Sequence, residues 1–210
     1  MSEYTFPFNT CEKVNKNGIA QPYSLFFNLI NCIIILYFLL QTKNNYTFML
    51  LFLILCFELF HSFSHIVHIK GSIQLNIIHL LTYLINFAFF YLFYSYTKKF
   101  PNKFFILYLI VLVCLDIYSV FNLTIIYYLS TQSIIFISLL LYYYRLLPKF
   151  IQNSIYQLIL LVGFVILLVL NETYNCERML EFYPHFPYHI FIEITGIVFF
   201  YVICSNFYKL

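Results

Sequence analysis

Seven long apolar runs constrain the fold of this chain more than any other feature. Each run is close in length to the ~20 residues that a helix needs to cross the hydrocarbon core of a bilayer. The runs are continuously apolar, whereas the strands of a membrane barrel alternate apolar and polar side chains. The sequence therefore predicts an all-α membrane protein with seven transmembrane helices in one bundle. The predicted spans are roughly 22–42, 46–68, 75–96, 103–121, 123–145, 150–170 and 186–208.

The composition excludes several other classes of protein. Of the 210 residues, 63% are hydrophobic and 9% are charged, which is too little charge to cover a water-soluble globule. The net charge of +3 comes without a basic run, so we expect no nucleic-acid partner. With only four glycines and no broken, symmetry-related helices, a transporter is disfavoured. We divide the chain into an N-terminal segment, residues 1–21, and a seven-helix domain, residues 22–210, and expect no cleaved signal peptide.

The cations in the predicted loops indicate the orientation of the bundle. They are more numerous on the side of the C-terminus, which places that end in the cytosol and the N-terminal segment in the lumen or outside. We therefore expect a multi-pass protein of the endoplasmic reticulum or Golgi. The cations of the cytosolic side are Lys43, Lys98, Lys99, Lys103, Arg145, Lys149 and Lys209, and those of the other side are Lys13, Lys16, Lys70 and Arg178.

All histidines occur at two junctions between loops and spans. If the helices alternate in direction, the end of helix 2 and the starts of helices 3 and 7 share one face of the membrane. Histidines four apart lie on one face of a helix and can hold one metal ion. Cys11 and Cys176 lie on the same membrane face, where they could pair in an oxidising lumen. The histidines of the first junction are His61, His65, His68 and His79, and those of the second are His185 and His189.

At these positions the sequence resembles the alkaline ceramidases, which belong to a wider superfamily of seven-helix membrane hydrolases and adiponectin-receptor-like proteins. The family pattern has S-x-x-x-H at the end of helix 2 and H-x-x-x-H at the opening of helix 7. Ser64 with His68, and His185 with His189, fit this pattern. Further stretches resemble the family in order along the chain: Cys11-Glu12, Leu25-Phe26-Phe27-Asn28, Asn76-Ile77-Ile78-His79 and the polar segment from Asn171 to Glu177.

The resemblance implies a function and a set of site residues. It implies a zinc ion held by His68, His185 and His189, with Ser64 beside a water in the fourth position. Three imidazoles and an open position are the arrangement of a catalytic zinc. The implied activity is hydrolysis of ceramide, drawn from the membrane, to a sphingoid base and a fatty acid. The resemblance also implies a disulfide between the two cysteines of the N-terminal and polar segments, Cys11 and Cys176.

Two departures from the family pattern leave an alternative open. The family's Asp at the start of helix 3 is His79 here, which could accept a proton from the water as a catalytic residue. His79 could instead become a fourth ligand that closes the zinc site, as in an inactive or receptor-like relative. The calcium site of the family is reduced to Glu12, with Asn9 and Thr10 before Cys11, so we expect no bound calcium.

Three acidic residues lie within the apolar spans. Because charge is costly there, Glu58, Asp116 and Glu193 are expected to have a functional or pairing role. Glu193 follows His189 by four and so lies on the metal face, one turn deeper. We interpret His61 and His65 as residues that support the site or pack beside it.

Overall fold

A bundle of seven α-helices makes up most of the chain. The structure, a computed structural model, describes residues 5–6, 11–12, 15, 18–67, 69–70, 72–122, 125–184 and 186–210. The helices are α1 (Pro22–Gln41), α2 (Asn45–Val67), α3 (Ser72–Thr97), α4 (Lys103–Asn122), α5 (Ile125–Tyr143), α6 (Lys149–Phe182) and α7 (Ile190–Phe207). Two short strands, β1 (Thr5–Phe6) and β2 (Ile69–Lys70), pair antiparallel, and a 3-10 turn spans Tyr144–Leu146.

The structure confirms the predicted all-α membrane fold. Within the described residues, every helix but α5 is long and apolar enough to cross a membrane, which makes six such spans. The remaining helix, α5, has 19 residues and packs against α3, α4 and α6. The prediction of seven spans is therefore supported for six of the seven.

The order of packing brings the first and last helices together. α1 lies against α2 and α7, and α7 lies against α6. The main cluster of buried apolar side chains is in the half of the bundle that contains the end of α7, where Phe93, Tyr143 and Phe207 are fully buried. The other half contains the end of α2, the start of α7 and the end of α6. The predicted histidine face is in that half.

Two predicted helix limits were wrong, and both errors bear on the site. α6 continues to Phe182, twelve residues beyond the predicted span 150–170 and through the polar segment that begins at Asn171. Polar side chains do not end a helix once it has left the apolar layer, and no Gly or Pro interrupts this stretch before Pro184. α7 begins at Ile190 rather than near residue 186, because Pro187 disfavours helical conformation in the residue before it. His189 therefore lies at the N-cap of α7, and His185 lies outside the described residues.

Candidate metal centre

Four side chains from α2 and the start of α7 converge on one point. They are His61, His65, His189 and Glu193, and one ligand atom from each lies within 4.8 Å of all the others. The pairs His61 with His65 and His189 with Glu193 are both spaced by four residues, so each pair projects from one face. His189 caps α7, and its carbonyl accepts the N–H of Glu193, which fixes the second pair. Two helix ends thus supply two ligands each.

The distances among these atoms fit a common first shell. The Nε2 atoms of His61 and His65 are 3.2 Å apart, and Oε1 of Glu193 lies 3.2 Å from Nε2 of His65. The same oxygen lies 2.9 Å from Nε2 of His189 and 3.8 Å from Nε2 of His61. Ligands at roughly 2.0–2.1 Å from a tetrahedral metal are about 3.4 Å from one another. The four distances bracket that value, and the other two pairs of atoms lie within 4.8 Å.

The opposite ring nitrogens are held by oxygen acceptors. Nδ1 of His65 is 2.7 Å from the amide oxygen of Gln21, and Nδ1 of His189 is 2.9 Å from a carboxylate oxygen of Glu172. An N–H at Nδ1 that donates to oxygen leaves the lone pair on Nε2, where the four atoms meet. Histidines that bind metals carry this kind of outer partner, which sets their tautomer and ring orientation.

Buried negative charge surrounds the group. Glu58, Glu172 and Glu193 are all at least nine-tenths buried. Oε2 of Glu58 lies 3.9 Å from Nδ1 of His61, one helical turn below the cluster. Burying several carboxylates is costly unless positive charge accompanies them.

The contacts of His189 indicate where that positive charge belongs. Burial lowers the pKa of His189, but its contacts with Glu172 and Glu193 outweigh burial and raise the pKa to about 10. Nε2 of His189 and Oε1 of Glu193 approach to 2.9 Å, yet neither atom has a hydrogen bond within the described residues. A cation between these two atoms, a proton or a metal ion, would balance the carboxylates.

A mostly apolar cavity of about 290 Å³ borders the group. His61, His189 and Glu193 reach its wall, whereas His65 does not. The cavity runs between α1, α2, α3, α5, α6 and α7, and its apolar walls include Val162, Val165, Leu129, Gly196, Phe199 and Phe200. An apolar chain can therefore lie against the same centre that gathers the imidazoles.

A disulfide joins the N-terminal segment to the end of α6. Cys11 and Cys176 are bonded, with Cα atoms 5.6 Å apart, as the resemblance predicts. The backbone N–H of Cys11 donates to Glu172 at 2.5 Å, so one carboxylate contacts both the N-terminal segment and His189.

Glu12 has a structural partner at the start of α1. Its carboxylate accepts the N–H of Tyr23 at 3.3 Å and the hydroxyl of Ser24. Carboxylates are favourable at a helix N-terminus. Burial nevertheless raises the pKa of Glu12 above its usual value.

The structure brings together only part of the predicted set. Of the predicted ligands, His189 belongs to the group, and His68 and His185 lie outside the described residues. Ser64 is buried, and its hydroxyl donates to the carbonyl of His61. His79 is not among the four converging residues; its ring packs edge-on against Tyr128, with centroids 4.2 Å apart.

Several residues at the metal centre were not predicted from the sequence to belong to it. His61 and His65 belong to the group itself, although they were interpreted as supporting or packing residues. Their spacing of four was the available signal, the same as that of His185 and His189. Gln21 and Glu172 had no recognisable spacing, because they contact histidines far away in the sequence.

Asp116 has a separate set of partners. It is fully buried and accepts hydrogen bonds from the hydroxyls of Tyr83 and Thr131 and, at 2.7 Å, from the amide of Gln132. These contacts join α3, α4 and α5. Asp116 therefore has the pairing role expected of a charge within an apolar span.

The chain was compared with known proteins. No protein-family model, curated protein or solved structure matches it. The likeness to the alkaline ceramidases therefore rests on the short motifs of the sequence.

Proposed function

We propose that this chain is a membrane-embedded, zinc-dependent amidase that hydrolyses ceramide to a sphingoid base and a fatty acid. The observation that carries the proposal is the convergence of three imidazole Nε2 atoms and one carboxylate oxygen at the edge of an apolar cavity. Imidazole and carboxylate are ligands that zinc accepts in hydrolases. The motifs that resemble the ceramidases supply the substrate class.

In this proposal the zinc ligands are His65, His189 and Glu193. His65 and His189 have their Nδ1 atoms fixed by Gln21 and Glu172, and Glu193 approaches both Nε2 atoms. His61 is the most exposed of the four side chains and has the longest separation from Glu193, 3.8 Å. Because it also borders the cavity, we assign His61 to the position nearest the substrate.

A zinc ion held here would supply Lewis acidity, which lowers the pKa of water and polarises an amide carbonyl. The chain's own residues supply binding and orientation. The cavity holds the acyl chain against the centre and limits the access of bulk water. Glu172 and Gln21 keep two imidazoles in the tautomer that presents Nε2. The catalytic roles predicted for Ser64 and His79 stay predictions.

The second candidate is an inactive or receptor-like relative with a closed metal site. The observation that favours it is the presence of four potential ligands instead of three. In this candidate His61, rather than His79, completes the first shell, and four protein ligands are the pattern of structural zinc.

Hydrolysis by purified protein separates the two candidates. The protein is loaded with zinc in lipid nanodiscs and incubated with ceramide that carries a labelled acyl chain. We expect release of the labelled fatty acid, its loss on treatment with a chelator, and its loss in Glu193→Ala. The exposed Glu181→Gln, on α6, is the matched control and should retain activity. Full zinc occupancy with no fatty-acid release would contradict the amidase and favour the closed site.

A further inference from the structure

A second polar feature of the cavity lies on α1 and α2, deeper than the metal group. Asn28, Asn31 and Glu58 line the cavity, and each is only 2% exposed. Within the described residues, Nδ2 of Asn28, Oδ1 of Asn31 and Oε2 of Glu58 have no hydrogen-bond partner. A buried polar atom without a partner costs about 1–3 kcal/mol. Three such atoms at one cavity indicate a polar ligand.

The positions of the two asparagines are set by the geometry of the helices. Asn28 and Asn31 are three residues apart on α1 and so share a face. Asn28 also follows Gln21 by two turns, and Gln21 contacts His65. Glu58 precedes His61 by one turn on α2, which is about 4.5 Å along the axis. Glu58 therefore lies one turn from His61 and Asn28 two turns from Gln21, while Asn31 lies about one turn further along α1.

The chemistry of these atoms defines what can bind. An amide offers both a donor and an acceptor, so Asn28 and Asn31 can serve both sides of a hydroxyl group. Buried asparagines of membrane helices commonly bond across to a neighbouring helix, which would satisfy the same atoms. Here α1 packs against α2 and α7, and the side chain of Asn31 bonds to Glu58 of α2. Nδ2 of Asn28 and Oδ1 of Asn31 still lack a partner within the described residues.

We propose that Asn28 and Asn31 form a subsite that binds a hydroxyl group next to the amide of the lipid. The ligand class is an N-acyl amino alcohol, as opposed to an N-acyl alkylamine with the same chains. Asn31 bonds to Glu58, and Oε2 of Glu58 lies 3.9 Å from Nδ1 of His61, so the subsite is next to the metal group. A hydroxyl on a carbon close to the lipid amide is then within its reach. The identity of the ligand as a lipid amide rests on the proposed function.

The test measures binding without catalysis. Metal-free protein in nanodiscs is titrated with two fluorescent probes, an N-acyl sphingosine and an N-acyl alkylamine of the same length. We expect the hydroxylated probe to bind about 10- to 100-fold more tightly, because without the hydroxyl the buried amides stay unpaired. The variant Asn28→Leu/Asn31→Leu should lose this preference and bind the alkylamine at least as well as the unchanged protein.

Thr47 offers the matched control. It is a fully buried residue of α2 whose hydroxyl also lacks a partner within the described residues, and it does not line the cavity. Thr47→Val should keep the preference. Equal affinity of the two probes for the unchanged protein would overturn the proposal, even if the double variant fails to fold. A preference that survives in a folded double variant would also overturn it.

The outcome is distinguishable from that of the amidase proposal. Preference for the hydroxylated probe without ceramide hydrolysis would support the subsite and contradict the amidase. Hydrolysis without the preference would support the amidase and overturn the subsite.

Discussion

Replacement of Glu172 tests whether the outer contacts of the metal group set its affinity. The carboxylate lies 2.9 and 3.1 Å from Nδ1 of His189, so it holds the imidazole with Nε2 facing the other ligands. A hydrogen bond to a charged group contributes about 1.5–3 kcal/mol. Loss of such an outer partner lowers metal affinity about 10- to 100-fold, or about 1.4–2.7 kcal/mol. The two magnitudes agree.

We therefore expect Glu172→Gln to bind zinc about tenfold more weakly and Glu172→Ala about a hundredfold more weakly. Glutamine retains an oxygen acceptor but loses the charge, whereas alanine removes both. The assay is competition for zinc with a chromophoric chelator at fixed pH. Glu181→Gln is the matched control, since it is an exposed carboxylate on the same helix. Unchanged affinity in both Glu172 variants would refute the assigned role of this contact.

Three further predictions concern the metal ligands, the disulfide and the partners of Asp116. His65→Ala should abolish zinc binding and His61→Ala should retain it, as measured by metal analysis of the purified variants; the reverse result would contradict the assignment of ligands. Cys176→Ser should destabilise the fold by about 2–5 kcal/mol, because the disulfide closes a sequence separation of 165 residues, whereas a melting curve of Cys114→Ser, an exposed free cysteine, should be unchanged. Asp116→Leu should lower stability by at least about 1–3 kcal/mol by leaving Tyr83, Thr131 and Gln132 without their acceptor, with a smaller loss for Asp116→Asn; equal melting temperatures would contradict the network.

The fold was largely predictable from the sequence because membrane spans are marked by length and apolarity. The predicted span 22–42 and the observed helix Pro22–Gln41 differ by one residue, and the disulfide partners lay in the polar segments of one predicted face. These features depend on the bilayer thickness and on the alternation of helices, which can be counted along the chain.

The identity of the site residues depended on smaller details. The prediction paired His185 with His189 in a helix that began near residue 186. The observed start of α7 at Ile190 places His189 at the N-cap, four residues before Glu193. On α2, which histidines face α7 depends on the rotation of the helix, and packing against α1 and α3 sets that rotation. Glu172 joined the site because α6 continues to Phe182, about three turns beyond the predicted end of its span.

The most direct test of the account is the metal content of the purified protein, with X-ray absorption to define the ligands. We expect one zinc ion per chain, with nitrogen and oxygen ligands at roughly 2.0–2.1 Å, and loss of the ion in both His189→Ala and Glu193→Ala. Failure to bind zinc after loading would contradict the account. So would zinc that is retained at full occupancy in both variants.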